Sequence, residues 1–323
     1  YADHLPLYRQ RLIYQRAGID LSRSTLSDWI GRCGVELEPL ANALKQVVLQ
    51  QRVIHADETP VTIMRMGDDE KKPKKGYVWA YATTQYNPVQ AVIYDFQDSR
   101  SGQHAEAFLK DWQGHLVCDD YSGYKARFKS GDVIEVGCMA HARRKFHELH
   151  VTGKSQIAEQ ALLMIQKLYA IEAELRKKTD GTAEDRREYR QQYSQPVMQQ
   201  LYEWLNQHQL TVPSSSPTAR AINYSLKCWP ALSRYLDNGN LPIDNNWLEN
   251  QMRPWALGRK NWLFAGSLRS GQRAANIMTL IQSAKLNGLD PYAYLSDVLK
   301  RLPTHKVTQI EELLPHRWKS NPS

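Results

Sequence analysis

The sequence contains no run of about 18 apolar residues, the length a membrane-spanning helix requires, and no signal-peptide pattern. The first absence excludes a membrane-spanning helix, and a cytoplasmic protein without a membrane partner is expected. Only four cysteines occur in 323 residues: Cys33, Cys118, Cys138 and Cys228. They are scattered and form no Cys-x-x-Cys pair, which excludes a disulfide framework and predicts reduced thiols. Cys138-Met139-Ala140-His141 has the spacing of half a zinc site, but no second half follows. There is no internal repeat. The chain starts at Tyr1, inside a helical pattern and without a Met, so a fragment of a longer protein is expected. Acidic residues are in deficit, with 34 Asp and Glu against 42 Lys and Arg, a net charge of +8 and a pI near 9.2. That balance favours an anionic partner, most commonly nucleic acid.

What is present supports a sizeable core: 42% of residues are hydrophobic, with nine Trp and seventeen Tyr. The length suits one large domain or two ordinary ones. Residues 1–50 read as helical. Leu5, Tyr8 and Leu12 recur at helical spacing, Gly18–Ser22 reads as a turn, and Thr25-x-x-Asp28 has the form of a capping box. Two short helices across a turn predict either a DNA-reading helix-turn-helix or an ordinary helical hairpin. Residues 51–140 change character. Val53–Ala56, Gly76–Thr83, Val89–Phe96, Leu116–Cys118 and Val133–Val136 read as strands, with a polar loop from Gly67 to Lys75 and a helix at His104–Trp112. Residues 141–240 read as a helical block, with a kink or break expected at Pro196. Residues 241–302 hold a helix over Asn245–Leu257 that Pro254 should limit, a basic turn at Gly258–Asn261, and two closing helices. Residues 303–323 form a tail. The pattern predicts an α/β fold with a mixed sheet, a helical N-terminal segment and a large all-helical insertion.

Three acids stand in motif-like settings. Asp57 follows the apolar run Val53–Ala56, Asp119 follows Leu116–Cys118, and Glu249 lies in the helix that opens with Asp244-Asn245-Asn246. Hard cations such as Mg²⁺ favour carboxylate oxygens, and two ions about 4 Å apart can serve both oxygens of a phosphodiester displacement. Each acid alone has an ordinary reading: a turn acid for Asp57 and Asp119, a surface Glu–Arg pair for Glu249. Glu58 would face away from Asp57 if the strand continues, and only one of Asp119 and Asp120 can face it. Asn245, Asn246, Glu249 and Arg253 are expected to share roughly one helix face. Arg143, Arg144, Arg253, Arg259 and Lys260 are candidate contacts to a DNA backbone. Trp262 and Phe264 are candidates for stacking on an unpaired base, with core packing as the alternative. Asp119 follows Asp57 by 62 residues and Glu249 follows Asp119 by 130, room for the helical block between the last two acids.

Taken with Tyr1–Tyr8, Ser24-Thr25-Leu26, His55–Val61, Asp119–Tyr124, His141–Phe146, Asp244–Asn246 with Glu249, and Gly258–Ser267, the chain resembles the DDE transposases of bacterial insertion sequences, specifically the insertion sequence 66 family. The resemblance spans nearly the whole chain. It implies an RNase H-like catalytic core and places the family's three acids on Asp57, Asp119 and Glu249. It also implies two Mg²⁺ ions, replaceable by Mn²⁺, cleavage at terminal inverted repeats and strand transfer into target DNA. A homo-oligomer on paired ends, accessory proteins of the same element and a nucleoid-associated location are further implications. Asp120 stands where the family usually has Gly, and Asn250 where Arg is usual. An upstream segment with a coiled coil and a zinc module is expected to be missing. A nuclease of the same fold without strand transfer, and a non-catalytic DNA-binding relic, are the alternative readings.

Overall fold

The computed structural model describes residues 1–64, 72–178 and 181–320. Most of the loop expected from Gly67 to Lys75, and the last three residues of the expected tail, lie outside them. Helices α1 (Leu7–Arg16), α2 (Arg23–Glu36) and α3 (Glu38–Leu49) open the chain. Strands β1 (Val53–Ile63), β2 (Lys74–Thr83) and β3 (Val92–Gln97) follow, then α4 (Gly102–Phe108), β4 (Gly114–Val117), α5 (Lys125–Phe128) and β5 (Val133–Val136). The helical block contains α6 (Met139–Gly153), α7 (Gln156–Lys178), α8 (Ala183–Thr211), α9 (Pro217–Lys227) and α10 (Trp229–Ser233). The chain closes with α11 (Asn246–Trp262), β6 (Phe264–Ala265), α12 (Leu268–Leu286) and α13 (Pro291–Arg301). The result is a mixed α/β protein, 62% helical.

Several boundaries differ from the sequence reading, for local reasons. The cap of α2 is Ser22, whose hydroxyl accepts from the amide of Thr25 at 3.0 Å, so the helix starts ahead of the expected Thr25–Asp28 box. Gly18, at φ +80°, makes the turn before it. Pro196 lies inside an uninterrupted α8 and Pro254 inside α11. A proline removes one helical hydrogen bond, a loss that packing on both sides can offset. The expected basic turn at Gly258–Asn261 is consequently the last part of α11.

The chain divides into two compact units. One comprises Tyr1–Gln113, Ser122–Ser130 and Trp247–Ser323; the other comprises Gly114–Tyr121 and Gly131–Asn246. In the first unit β2 pairs antiparallel with both β1 and β3, while β6 runs parallel to β1. Val61, Ile63, Val78, Ala80, Ala82, Val92, Tyr94 and Phe96 form one apolar face, closed by Leu248, Met252 and Trp255 of α11 and by Ala275 and Met278 of α12. The outer edge of β3 is closed by side chains of α12. Thr279 Oγ1 accepts from the amide of Tyr94 at 2.9 Å and Ser283 Oγ from that of Val92 at 3.1 Å. The spacing explains the fit: four helical residues rise about 6 Å and two strand residues about 6.8 Å. At Gly271 of the same helix an added Cβ would stand 2.4 Å from the Phe96 ring, so glycine permits this approach.

In the second unit β4 and β5 are parallel, and the ladder extends through the amide of Cys118 to the carbonyl of Val136 at 3.1 Å. The helices pack around a buried ion pair. The side chains of Arg190 and Glu172 are 0% and 1% exposed, and Arg190 Nε donates to Glu172 Oε1 at 2.7 Å. Arg190 Nη1 also donates to the carbonyls of Tyr235 and Leu241, holding the loop that runs toward Asp244. All four cysteines are free thiols, and no described helix is long and apolar enough to cross a membrane.

Candidate functional site

Asp57 occupies the middle of β1, because the strand continues through Pro60 to Ile63 rather than ending after Ala56. Alternation places Asp57, Thr59, Val61 and Ile63 on one face of that strand. Val61 and Ile63 belong to the cluster that Leu248, Met252 and Trp255 of α11 close. Asp57 therefore lies on the face α11 covers, and Glu249, beside Leu248, lies in the first turn of that helix. Two hydrogen bonds fasten this turn to the sheet. Trp247 Nε1 donates to the carbonyl of Thr83 at 2.9 Å, and the Tyr94 hydroxyl donates to the carbonyl of Gln251. Tyr94 pairs with Ala80, which pairs with Asp57, so Asp57 and the tyrosine that holds α11 belong to one cross-strand row. Both acids are half-buried. Asp57 Oδ1 accepts from the amide of Glu58 at 2.8 Å.

Glu58 has the opposite orientation. Its side chain is 1% exposed. Arg100 Nε reaches Oε1 at 2.7 Å and the Tyr124 hydroxyl reaches Oε2 at 2.8 Å. The carboxylate is thus occupied as an anchor for two other segments of its unit.

The second unit holds Asp119, Asp120, Arg143 and Arg144. Asp119 Oδ1 accepts from the amide of Tyr121 at 3.0 Å, a local turn bond. Asp120 Oδ2 accepts from Lys227 Nζ at 2.6 Å. Arg143, Arg144 and Asn246, together with His147, Gln166 and Tyr169, line a cleft of about 640 Å³. Its floor is polar: the Tyr169 hydroxyl donates to Asp244 Oδ2 at 2.7 Å, and Asn246 Nδ2 donates to the same oxygen at 2.7 Å. Burial, and secondarily the Asp244 carboxylate, hold the Tyr169 phenol far above its ordinary pKa, so it remains a neutral donor. Asn245 is 1% exposed, and its amide donates to Cys138 Sγ at 3.2 Å. It precedes α11 and does not share the expected helix face.

In the first unit Arg253 and Lys260 are exposed on α11. Arg259 also serves the fold, since its Nη1 donates to the carbonyl of Pro60 at 2.7 Å and to Thr59 Oγ1 at 3.1 Å. Trp262 packs against the core, edge-on to Trp255 with ring centroids 6.0 Å apart, whereas Phe264 is exposed. Sequence reasoning missed the hold of Tyr94 on Gln251 and that of Lys227 on Asp120. Neither leaves a local signal, because each partner is more than a hundred residues away in the chain.

The model of the IS66 transposase family matches residues 1–273, and that of the IS66 C-terminal element matches residues 279–316. The chain belongs to the IS66 transposase family. Among its relatives in Sinorhizobium fredii, protein y4qI is 38% identical over 99% of this chain and 60% of its own length. Protein y4jD is 38% identical over 99% of this chain and 64% of its own length. Protein y4hP is 34% identical over 99% and 60% respectively. The chain thus spans somewhat less than two thirds of these relatives.

Proposed function

We propose that this chain is the catalytic region of a bacterial DNA transposase with an RNase H-like core. In this reading Asp57, Asp119 and Glu249 hold two Mg²⁺ ions, with Mn²⁺ as a substitute. The observation that carries it is the common layer of Asp57 and Glu249: one on the sheet face that α11 covers, the other in the first turn of α11. The donor set fits the ions, because carboxylate oxygens are what hard divalent cations bind. When bound, the ions would stabilise the attacking and leaving oxygens of a phosphodiester displacement.

The residues themselves position and shield. Tyr94 and Trp247 fix the helix that bears Glu249. Arg253 and Lys260 on α11, and Arg143 and Arg144 on α6, offset phosphate charge and hold the DNA backbone. The products are a hydrolysed phosphodiester at each transposon end, then a bond from the freed 3′-OH to a target-DNA phosphate, whose own 3′-oxygen leaves as a new 3′-OH. A homo-oligomer on paired ends follows from the need to join two ends, and the setting is the bacterial cytoplasm.

Asp57→Asn, Asp119→Asn and Glu249→Gln are each expected to abolish Mg²⁺-dependent cleavage of DNA carrying the element's ends, with DNA binding retained. Undiminished cleavage by any one of them removes that residue from the site. Cleavage without a strand-transfer product in the wild type supports the nuclease reading instead.

A further inference from the structure

The first unit contains a cavity of about 460 Å³ lined by Pro60, Thr62, Lys74, Lys75, Arg259 and Leu263, together with Pro73. That size lies within the roughly 300–1,000 Å³ of small-molecule sites. Every charged side chain among these lining residues is cationic. At its rim the chain does something costly. Leu263 adopts φ +67°, the left-handed region, where a side chain with a Cβ is strained and glycine is not. Its amide donates to the carbonyl of Arg259 at 3.0 Å and ends α11. A left-handed residue at this place stops the helix, a role that glycine fills without strain. The leucine side chain gains little burial in return, being 63% exposed, and its neighbour Phe264 is 42% exposed. Phe264 is held in register with Thr62 by the pairing of β6 with β1. Two adjacent exposed apolar side chains thus stand beside a cationic cavity.

We propose that this cavity takes one unpaired nucleotide of the DNA substrate, with its base against Leu263 and Phe264 and its phosphate against Lys74, Lys75 and Arg259. Apolar wedges unstack bases, aromatic faces then hold them, and cations hold the adjoining backbone. The inference rests on the reading of this chain as a DNA-acting transposase. It goes further by naming a base-extrusion subsite and its place. Pro60 and Thr62 lie three and five residues beyond Asp57 on β1. At about 3.4 Å per strand residue that is roughly 10–17 Å, or about three to five nucleotides at 3.4 Å per step. The unpaired nucleotide is expected at that distance from the cleaved bond.

The probe is a set of DNA duplexes carrying 2-aminopurine at successive positions, in paired and single-stranded-end versions, with fluorescence reporting unstacking and affinity measured alongside. The expected result is a fluorescence change at one position, and tighter binding when that position is unpaired. Leu263→Gly and Leu263→Asn both tolerate the left-handed backbone, so neither threatens the fold. Together with Phe264→Ala they are expected to lose the position-specific signal and the preference for the unpaired end. Lys75→Gln is expected to weaken every duplex and lower the salt slope by about one ion. A wild-type protein that binds duplex with no position-specific signal overturns this subsite alone, as do Leu263 and Phe264 variants that keep the signal. A protein that binds no DNA overturns both the subsite and the transposase reading.

Discussion

At Asp119-Asp120 the chemistry of two adjacent, identical side chains is divided by their partners. Lys227 pairs with Asp120. Asp119 Oδ1 accepts from the backbone of its own turn. If Asp119 is the metal-binding acid, Asp119→Asn abolishes cleavage, whereas Asp120→Asn leaves it within a few-fold of wild type. The cost to stability of the second change is small, about 0–1 kcal/mol, because Lys227 is largely exposed. Parallel cleavage assays and denaturant titrations of the two variants check this. Leu263 gives a second test at the same scale. Replacing it with glycine relieves about 1–2 kcal/mol of left-handed strain against about 0.5–1 kcal/mol of added chain entropy. A melting temperature equal to or slightly above wild type is expected, an unusual outcome for truncating a leucine. Asp57 and Glu58 show how far the residue scale was readable. Alternation along a strand is enough to separate them onto opposite faces. It does not reveal that Arg100 and Tyr124 would converge on Glu58, since those contacts span dozens of residues.

The elements are held by a few buried polar contacts whose removal should be measurable. Thr279→Val keeps the shape of the side chain but leaves the amide of Tyr94 at the β3 edge without its acceptor. A loss of about 1–3 kcal/mol is expected, read from the urea midpoint. Arg190→Met strands the buried Glu172 carboxylate and is expected to cost about 3–5 kcal/mol, while Glu172→Leu combined with Arg190→Met should recover much of that loss. A double variant no more stable than the single one would contradict this account. The strands and most helices were legible from apolar runs and helical spacing, and β5 coincides with the predicted segment. The prolines misled. A break or kink was expected at Pro196 and a limit at Pro254; neither proline ends its helix, and packing outweighs the loss of a single hydrogen bond.

For the whole molecule, the dominant sequence-level property is charge. With a net charge of +8, affinity for duplex DNA should fall steeply with salt. For about six to ten phosphate contacts, roughly 10³–10⁵-fold is expected between about 50 and 200 mM. A flat dependence measured by fluorescence anisotropy would argue against backbone binding. Connectivity makes a separate prediction. The first unit is assembled from three stretches of chain, and the apolar face of β1–β3 is closed by helices that begin only at Asn246. A fragment of residues 1–113 contains every strand of that face but neither α11 nor α12. It should show no cooperative unfolding transition, because the apolar face of its sheet stays open to water.

Family, overall α/β character and the three candidate acids with their motifs were determined by the sequence itself, because they depend on residue identity and on short-range periodicity. The tertiary structure decided which neighbouring side chains are available and which are committed. Glu58 is held by Arg100 and Tyr124, Asp120 by Lys227, and Asn245 is buried before its helix begins. It also decided that Asp57 shares its face with α11 and that a strained Leu263 stands beside a cationic cavity. These outcomes turn on contacts between residues far apart in the chain, whose free energy depends on burial and geometry that no local pattern encodes.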